Sequence, residues 1–83
     1  MVTIVVSSTF KRAVKHLSAE QKEMLESAVH KILADPSLGK PLKYGRGERS
    51  IRMPPFRIIF SFRKDVETLY LLKFEHRDSA YKR

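Results

Sequence analysis

The residues best suited to chemistry in this sequence are two arginines on either side of a double proline. They lie in the segment RSIRMPPFRIIF, residues 49–60. If Pro54-Pro55 is the bend of a hairpin, Arg52 lies opposite Arg57, and side-chain alternation places both on one face of a sheet. Two like charges about 5 Å apart at Cβ repel each other. The pair therefore indicates an anionic ligand, and a phosphodiester suits the planar guanidinium.

The same alternation sorts the rest of the hairpin into two faces. One face is apolar and is expected to cover a pair of helices: Ile51, Met53, Phe56, Ile58, Phe60, Phe62. The other face carries the arginines: Ser50, Arg52, Arg57, Ile59, Ser61, Arg63. A purely structural explanation of the arginine pair also exists, because Glu48, Glu75 or Asp78 can neutralise it.

The end of the chain adds an imidazole, a third guanidinium and a phenol, from His76, Arg77 and Tyr81. If this tail folds back over the arginines, the cluster suits a reaction that needs no metal, the attack of an RNA 2′-hydroxyl on its neighbouring phosphate. That reaction needs a base near the 2′-oxygen, cations for the phosphorane, and a proton donor for the leaving 5′-oxygen. Each of the three residues also has an ordinary structural explanation.

Other chemistries find no support in the residues. The chain has no cysteine and three isolated histidines without paired carboxylates at ligand spacing, so no metal site is predicted. No serine lies in a nucleophile-elbow context, and Gly45-Arg46-Gly47 is too short for a nucleotide-binding loop. We therefore expect no cofactor, neither a metal nor a small molecule.

Length and charge bound the class of protein. The chain has 83 residues with 17 Lys and Arg against 9 Asp and Glu, a formal net charge of +8. We expect one domain, residues 1–83, that is cytoplasmic and has no membrane span or signal peptide. The charge favours a polyanionic partner. Residues 43–83 hold 11 basic and 5 acidic side chains against 6 and 4 in residues 1–42, so the charge is concentrated in the second half.

The elements that must position these residues follow from the hydrophobic pattern. Residues 2–6 predict a strand. Ser7, Ser8 and Thr9 are candidate N-caps of a first helix, and a capping box of Ser18 and Gln21 begins a second helix that ends at Asp35-Pro36, so a helix hairpin is predicted. Residues 35–48 gather all three glycines and predict a loop. Three strands are then predicted at residues 49–53, 56–63 and 66–74. The predicted fold class is α+β, in the order β-α-α-β-β-β, with a C-terminal antiparallel meander and one largely antiparallel sheet in which the last strand is central.

This order, with the segments ILADPSLGKPLKYG, RSIRMPPFRIIF and EHRDSAY, resembles the RelE/ParE superfamily of toxins from bacterial and archaeal toxin–antitoxin systems. The resemblance covers nearly the whole chain. It implies a RelE-like fold and a toxin that enters the ribosomal decoding site and cuts mRNA there by the 2′-hydroxyl route, without a metal. It also implies two partners, a cognate antitoxin protein and the ribosome with its mRNA.

The resemblance assigns roles to individual residues. Arg52 and Arg57 match the arginines that hold the scissile phosphate, Arg77 matches the arginine at the end of the C-terminal strand, and Tyr81 matches the tyrosine of the tail. His76 lies where some members have an acid/base histidine. Basic residues of the first helix and of the glycine-containing loop are expected to contact RNA phosphate: Lys11, Arg12, Lys15, Lys43, Arg46, Arg49.

Three departures from the family pattern leave the general base open. Ser50 stands where Lys or Arg is common, Pro54-Pro55 replaces the usual Gly-Asp turn, and Phe56 replaces the usual Tyr before the second arginine. His76, Tyr81 or a basic residue of the loop are all candidates. Three hypotheses follow: a ribosome-dependent mRNA endonuclease, which the residues favour; a ParE-like toxin that inhibits DNA gyrase by binding; and a non-catalytic RNA- or ribosome-binding module of the same fold.

Overall fold

The computed structural model describes residues 2–42 and 47–76, which form a five-stranded sheet with two helices against one face. The strands and helices, in chain order, are β1 (Thr3–Val6), α1 (Ser8–Val14), α2 (Ala19–Ala34), β2 (Lys40–Pro41), β3 (Glu48–Met53), β4 (Phe56–Arg63) and β5 (Thr68–His76). A short 3₁₀ turn, Lys64–Val66, joins the last two strands. The α+β class predicted from the sequence is confirmed.

Both helices begin at residues that the sequence offers as N-caps, Ser7 from among three candidates and Ser18 in its capping box. The Ser7 side chain accepts a hydrogen bond from the Phe10 N–H at the start of α1. Ser18 and Gln21 form a reciprocal capping box at the start of α2, which ends at Asp35 before Pro36. Helix α1 is shorter than its apolar stripe suggests, because it ends at Val14, and Leu17 is buried beyond its end.

The sheet is mixed, with the strand order β1-β5-β4-β3-β2. The pairs β3–β4 and β4–β5 are antiparallel, as predicted. A further pair, β2–β3, is also antiparallel, whereas β1 lies parallel to β5. The last strand is interior, as expected, although β4 occupies the middle of the sheet. The sequence pattern could not show the parallel pair, because the partners β1 and β5 are separated by every other element.

The predicted loop, residues 35–48, contains a strand that the sequence analysis missed. Lys40 pairs with Ser50 and Pro41 with Arg49, so β2 forms one edge of the sheet. Gly39 precedes it with a φ of +87°, and a Cβ at that position would collide with the Ser50 carbonyl oxygen. A glycine is therefore required where the chain enters this edge, because a side chain is disfavoured by both the backbone angle and the close approach.

The core lies between the helices and one face of the sheet. Its buried members come from both helices and from β3, β4 and β5, with the exception of Leu17: Phe10, Leu17, Ala28, Ile32, Met53, Ile58, Phe60, Leu69, Leu71, Phe74. We call this side of the sheet the helix face. Of the helices in the described residues, neither has the length and apolar run that a membrane crossing requires.

A β-bulge interrupts β5 where it runs beside β4. Ile59 pairs with Lys73 but Phe60 pairs with Leu71, so Leu72 is an extra residue on the β5 side. Its carbonyl oxygen accepts a hydrogen bond of 2.7 Å from the Ser7 hydroxyl. Because of the bulge, Leu71 and Phe74 both reach the core although they are an odd number of residues apart. This shift decides which side chains of β5 face the arginines.

Candidate functional site

The β3–β4 hairpin has the register that the sequence predicts. Met53 pairs with Phe56, Arg52 with Arg57 and Ile51 with Ile58, around a turn at Pro54-Pro55 whose peptide bond is cis. Met53 and Ile58 belong to the core. By alternation, Arg52 and Arg57 therefore lie on the opposite side of the sheet, which we call the arginine face. The predicted pairing of the two arginines is confirmed.

A carboxylate completes the arginine pair on the side of β5. Glu75 pairs with Arg57 across the strands, and its Oε1 accepts a hydrogen bond of 3.3 Å from Arg57 Nη2. The two side chains are 33% (Arg57) and 31% (Glu75) exposed. Of the three carboxylates that the sequence offered as neutralising partners, Glu75 is thus in contact, and Asp78 lies outside the described residues. Arg52, Arg57 and Glu75 form a line across three adjacent strands, which we call the 52–57–75 row.

The row contains unused hydrogen-bonding capacity. Arg57 Nε is buried and has no hydrogen-bond partner within the described part of the chain. Arg52 is exposed and forms no hydrogen bond or ion pair with another described residue. Leaving a buried donor without a partner costs about 1–3 kcal/mol, more when the group is charged. The row therefore offers guanidinium donors to an anionic ligand.

The bulge in β5 selects the residue that faces Arg57. If β5 had no bulge, the register set by the Arg63–Thr68 pair would place Phe74 opposite Arg57. The same register would direct His76 to the arginine face. With Leu72 as the extra residue, Arg57 pairs with Glu75 instead. His76 pairs with Phe56, and their rings meet edge-on at 5.3 Å. The structure therefore places the His76 imidazole on the helix-face side of the strand and does not bring it together with the arginines.

The remaining charges of the arginine face are predominantly positive. The register places four further charged side chains on this face: Lys40, Glu48, Arg63, Lys73. Arg63 is bound at 3.2 Å to Asp65 in the turn that follows it. Ser50 lies between the arginine pair and Glu48 and pairs with Ile59, which is buried on this side of the sheet. The guanidinium donors of this face that lack a partner among the described residues therefore lie at the end of the hairpin, in the row.

Arg49 was predicted to contact RNA, and the structure gives it a local partner. Its position pairs with Phe60 and lies on the helix-face side of β3. Nε donates to the Leu38 carbonyl at 3.0 Å and Nη2 to the Gly39 carbonyl at 2.9 Å. The guanidinium thus holds the chain that enters β2. A role in RNA binding stays a prediction for this residue.

The other predicted contacts lie in two places. Lys11, Arg12 and Lys15 are exposed on α1 or directly after it, and α1 packs against β5. Four predicted site residues lie outside the described residues: Lys43, Arg46, Arg77, Tyr81. Within the described part of the chain, no group of three His, Asp or Glu side chains is arranged to hold a metal ion.

One carboxylate with a perturbed pKa lies away from the row, where α2 ends. The Asp35 carboxylate accepts hydrogen bonds from the Ser37 hydroxyl at 2.6 Å and from the Ser37 N–H at 3.2 Å. The hydroxyl bond first, and then the backbone bond, lowers the pKa of Asp35 below its ordinary value, because both stabilise the ionised form. This local turn stops the helix and has no part in the candidate site.

Comparison with known proteins identifies relatives of the whole chain. The family model described as the ParE-like toxin of type II bacterial toxin–antitoxin systems matches residues 4–83. The toxin in the intact RelBE toxin–antitoxin complex of E. coli superposes with a TM-score of 0.81 at 10% identity, covering 92% of this chain and 96% of that chain. A chain of the RelB–RelE complex of Methanococcus jannaschii gives 0.73 at 21% identity, covering 93% and 94%.

A chain of the RelBE2 toxin–antitoxin complex of Mycobacterium tuberculosis has a TM-score of 0.69 and 23% identity, with 92% of this chain and 98% of that chain covered. At such identities these likenesses show a shared fold. A sequence search of curated proteins gives no significant match. The family model thus supplies the assignment, and the solved structures support the fold.

Proposed function

This chain belongs to the ParE-like toxin family of type II bacterial toxin–antitoxin systems, and we propose that it is an endoribonuclease that cleaves mRNA on the ribosome. The reaction is the attack of a 2′-hydroxyl on the adjacent phosphate, with the arginine face as the site. The observation that supports this proposal best is the direct pairing of Arg52 with Arg57 on the side of the sheet away from the core.

The arginine pair has the properties that this reaction requires. A phosphodiester carries one negative charge, and a second develops as the phosphorane forms. Two guanidinium groups about 5 Å apart at Cβ can bind the non-bridging oxygens and gain strength as that charge grows. Such interactions lower the barrier because they are stronger in the transition state than with the bound substrate.

The partners follow from the family and from the charge. A type II toxin has a cognate antitoxin protein, and with a net charge of +8 on this chain we expect that antitoxin to be acidic where it binds. The ribosome carrying mRNA is the proposed substrate. That substrate places the proposed activity in the cytoplasm, and Lys11, Arg12 and Lys15 on the α1 side are the proposed contacts to ribosomal RNA.

The test is cleavage of a defined mRNA on programmed ribosomes. Purified protein is added with and without ribosomes, and the new 5′ ends are mapped and their chemistry determined. We expect cuts in the decoding site that need the ribosome and leave a 5′-hydroxyl. Arg52→Ala or Arg57→Ala is expected to reduce the cleavage rate about 100-fold or more, as for the loss of an oxyanion-stabilising donor.

Arg63→Ala is the matched control, because Arg63 lies on the same strand and face as Arg57 but is bound to Asp65 at the other end. It should cleave at the wild-type rate. Intact mRNA together with blocked DNA supercoiling by gyrase would instead identify a ParE-like inhibitor. Ribosome binding with neither mRNA cleavage nor gyrase inhibition would identify a non-catalytic binding module. The observation that favours this alternative is the contact between Arg57 and Glu75, because it partly neutralises the arginine pair.

A further inference from the structure

We propose that Glu75 is the general base of this reaction, the group that takes the proton from the attacking 2′-hydroxyl. The inference rests on the proposed function and adds a residue that the sequence pattern had placed only as a neutralising charge. It is carried by the 52–57–75 row, in which a carboxylate lies directly beside one of the two phosphate-binding arginines.

The position of the carboxylate suits the role. Neighbouring strands are about 4.8 Å apart, so the three side chains of the row span about 10 Å across β3, β4 and β5. A phosphate held by Arg52 and Arg57 therefore lies within about one strand spacing of Glu75. In a reactive arrangement the 2′-oxygen is about 3–3.5 Å from phosphorus. A carboxylate at this distance reaches the 2′-hydroxyl while the arginines hold the phosphate.

The carboxylate is both oriented and reachable. Arg57 Nη2 donates to Oε1 at 3.3 Å, whereas Oε2 has no partner among the described residues. The Glu75 side chain is 31% exposed, so a ligand on the arginine face can contact it. An ion pair this exposed contributes no more than about 1 kcal/mol to stability. The fold therefore does not depend on keeping the carboxylate bound to Arg57 when RNA binds.

The other groups on this face are poorer bases. Guanidinium groups, and the ammonium groups of Lys40 and Lys73 on the same face, are donors without a proton-accepting atom. His76 lies on the opposite side of β5, against Phe56. Strands β3, β4 and β5 place one other carboxylate on this face in the described residues, Glu48, which lies four residues from Arg52 along β3 and pairs with Ser61. Glu75 is therefore the described group that combines contact with an arginine of the pair and the ability to accept a proton.

The bulge at Leu72 shifts the register of β5 by one residue and thereby places Glu75 on the arginine face. Without the extra residue, β5 would present Phe74 to Arg57 and would direct the Glu75 carboxylate toward the helices. Bulges are frequent beside active sites because they redirect a side chain without changing the rest of the sheet. Here the bulge exchanges an apolar neighbour of Arg57 for a carboxylate.

The proposed step is balanced as follows. The 2′-oxygen forms a bond to phosphorus as its proton passes to the Glu75 carboxylate. The bond from phosphorus to the 5′-oxygen breaks, its electron pair stays on that oxygen, and the oxygen takes a proton from water. Glu75 then gives its proton to the hydroxide that remains. The products are a 2′,3′-cyclic phosphate and a 5′-hydroxyl, and no oxidant, reductant or further reactant is consumed.

Glu75→Gln tests the proposal in the ribosome assay, because the amide keeps the shape and can still accept from Arg57 but is not a base. We expect the cleavage rate to fall about 100-fold or more, with ribosome binding retained. Wild-type cleavage is expected to decline at acid pH, and this acid limb should be absent from the residual activity of the variant. Glu75→Asp should retain the limb at about a tenth of the rate. Glu48→Gln is the matched control and should cleave as wild type.

Each outcome decides the proposal. If wild type cleaves and Glu75→Gln cleaves within about threefold of it, or faster, Glu75 is not the base and serves only to neutralise Arg57. A slower variant that keeps the acid limb shows that Glu75 positions Arg57 instead, and this also overturns the proposal. If wild type leaves the mRNA intact, the proposed function fails and this inference fails with it.

Discussion

Arg49 and Arg52 lie in the same strand, but the pleat directs their side chains to opposite faces of the sheet. The two arginines therefore have different partners. Arg49 binds the Leu38 and Gly39 carbonyls, whereas Arg52 is exposed opposite Arg57. The guanidinium suits both tasks because it offers several donors in a fixed plane. At the scale of the residue, the surroundings of an arginine thus separate a structural role from a proposed phosphate-binding one.

Removing Arg49 should therefore affect stability. We expect Arg49→Ala to lower the free energy of unfolding by about 2 kcal/mol, because two charge-assisted hydrogen bonds to the chain before β2 are lost. Arg49→Lys should recover less than half of this, since an ammonium cannot satisfy both carbonyls in the same geometry. Urea denaturation followed by circular dichroism measures the difference.

The control for this prediction is Arg63→Ala, which removes an exposed ion pair. Its effect should be about 0.5 kcal/mol or less. If the two alanine variants unfold at the same urea concentration, the bonds from Arg49 to Leu38 and Gly39 do not stabilise the fold.

At the scale of the element, two serines begin helices in the same way but with different surroundings. The Ser18 cap is exposed and local, within the capping box. The Ser7 hydroxyl accepts from the Phe10 N–H and also donates to the Leu72 carbonyl in the bulge, 65 positions away in the chain. Ser7 thus joins the start of α1 to the irregular part of β5.

This difference predicts unequal costs for the same substitution. Ser18→Ala should destabilise the protein by about 1 kcal/mol, the usual value for a helix N-cap. Ser7→Ala should cost about 2 kcal/mol or more, because the half-buried Leu72 carbonyl also loses its partner. Equal unfolding midpoints for the two variants in urea would show that the bond to the bulge contributes nothing, and Ser7→Thr, which keeps the hydroxyl, should remain close to wild type.

The elements also show how far the residues alone predict the fold. The β3–β4 hairpin was predictable down to the Arg52–Arg57 pair because alternation runs without interruption on both strands. The same rule failed on β5, because the extra residue at Leu72 has no marker among the apolar residues around it. The sequence left the general base open among His76, Tyr81 and a basic residue of the loop and offered Glu75 only as a neutralising charge, whereas the structure places Glu75 beside Arg57.

Two further features escaped the sequence analysis for physical reasons. Strand β2 has two residues, too few for any periodicity, and Arg49 binds the carbonyls of the two residues that precede it. The parallel β1–β5 pair depends on a contact between distant segments, which local pattern cannot specify. The β1–β5 pair joins residues 65 positions apart, such as Thr3 and Thr68, whereas the helix caps and the β3–β4 hairpin were predictable from neighbours in the chain.

At the scale of the whole molecule, charge governs how the protein finds RNA. The net charge of +8 is concentrated in the half of the chain that forms β3, β4 and β5. Binding to single-stranded RNA should therefore weaken with salt, by about 0.7 log units of affinity per log unit of salt for each phosphate neutralised. Attraction of this kind acts before any specific contact is made.

Measuring the RNA affinity at several salt concentrations tests whether Arg52 of the 52–57–75 row contacts an RNA phosphate. Arg52→Ala should reduce the slope of log affinity against log salt by about 0.7, the value for one lost phosphate contact. Lys22→Ala removes an exposed charge from α2, on the other side of the sheet, and should leave the slope unchanged. Fluorescence anisotropy with a short labelled RNA gives both slopes. An unchanged slope for Arg52→Ala would mean that Arg52 contacts no phosphate.

The parallel pairing of β1 with β5 has a consequence for the biosynthesis of the protein. Strand β1 is made before the other described elements, yet its neighbour in the sheet, Thr68–His76, is the last described element to be made. Non-local pairs of this kind form late, since the intervening chain must be closed into a loop first. Glu75 is made after β1, α1, α2, β2, β3 and β4, so a nascent chain that lacks β5 cannot assemble the row. All the other described elements are thus synthesised before the proposed catalytic surface exists.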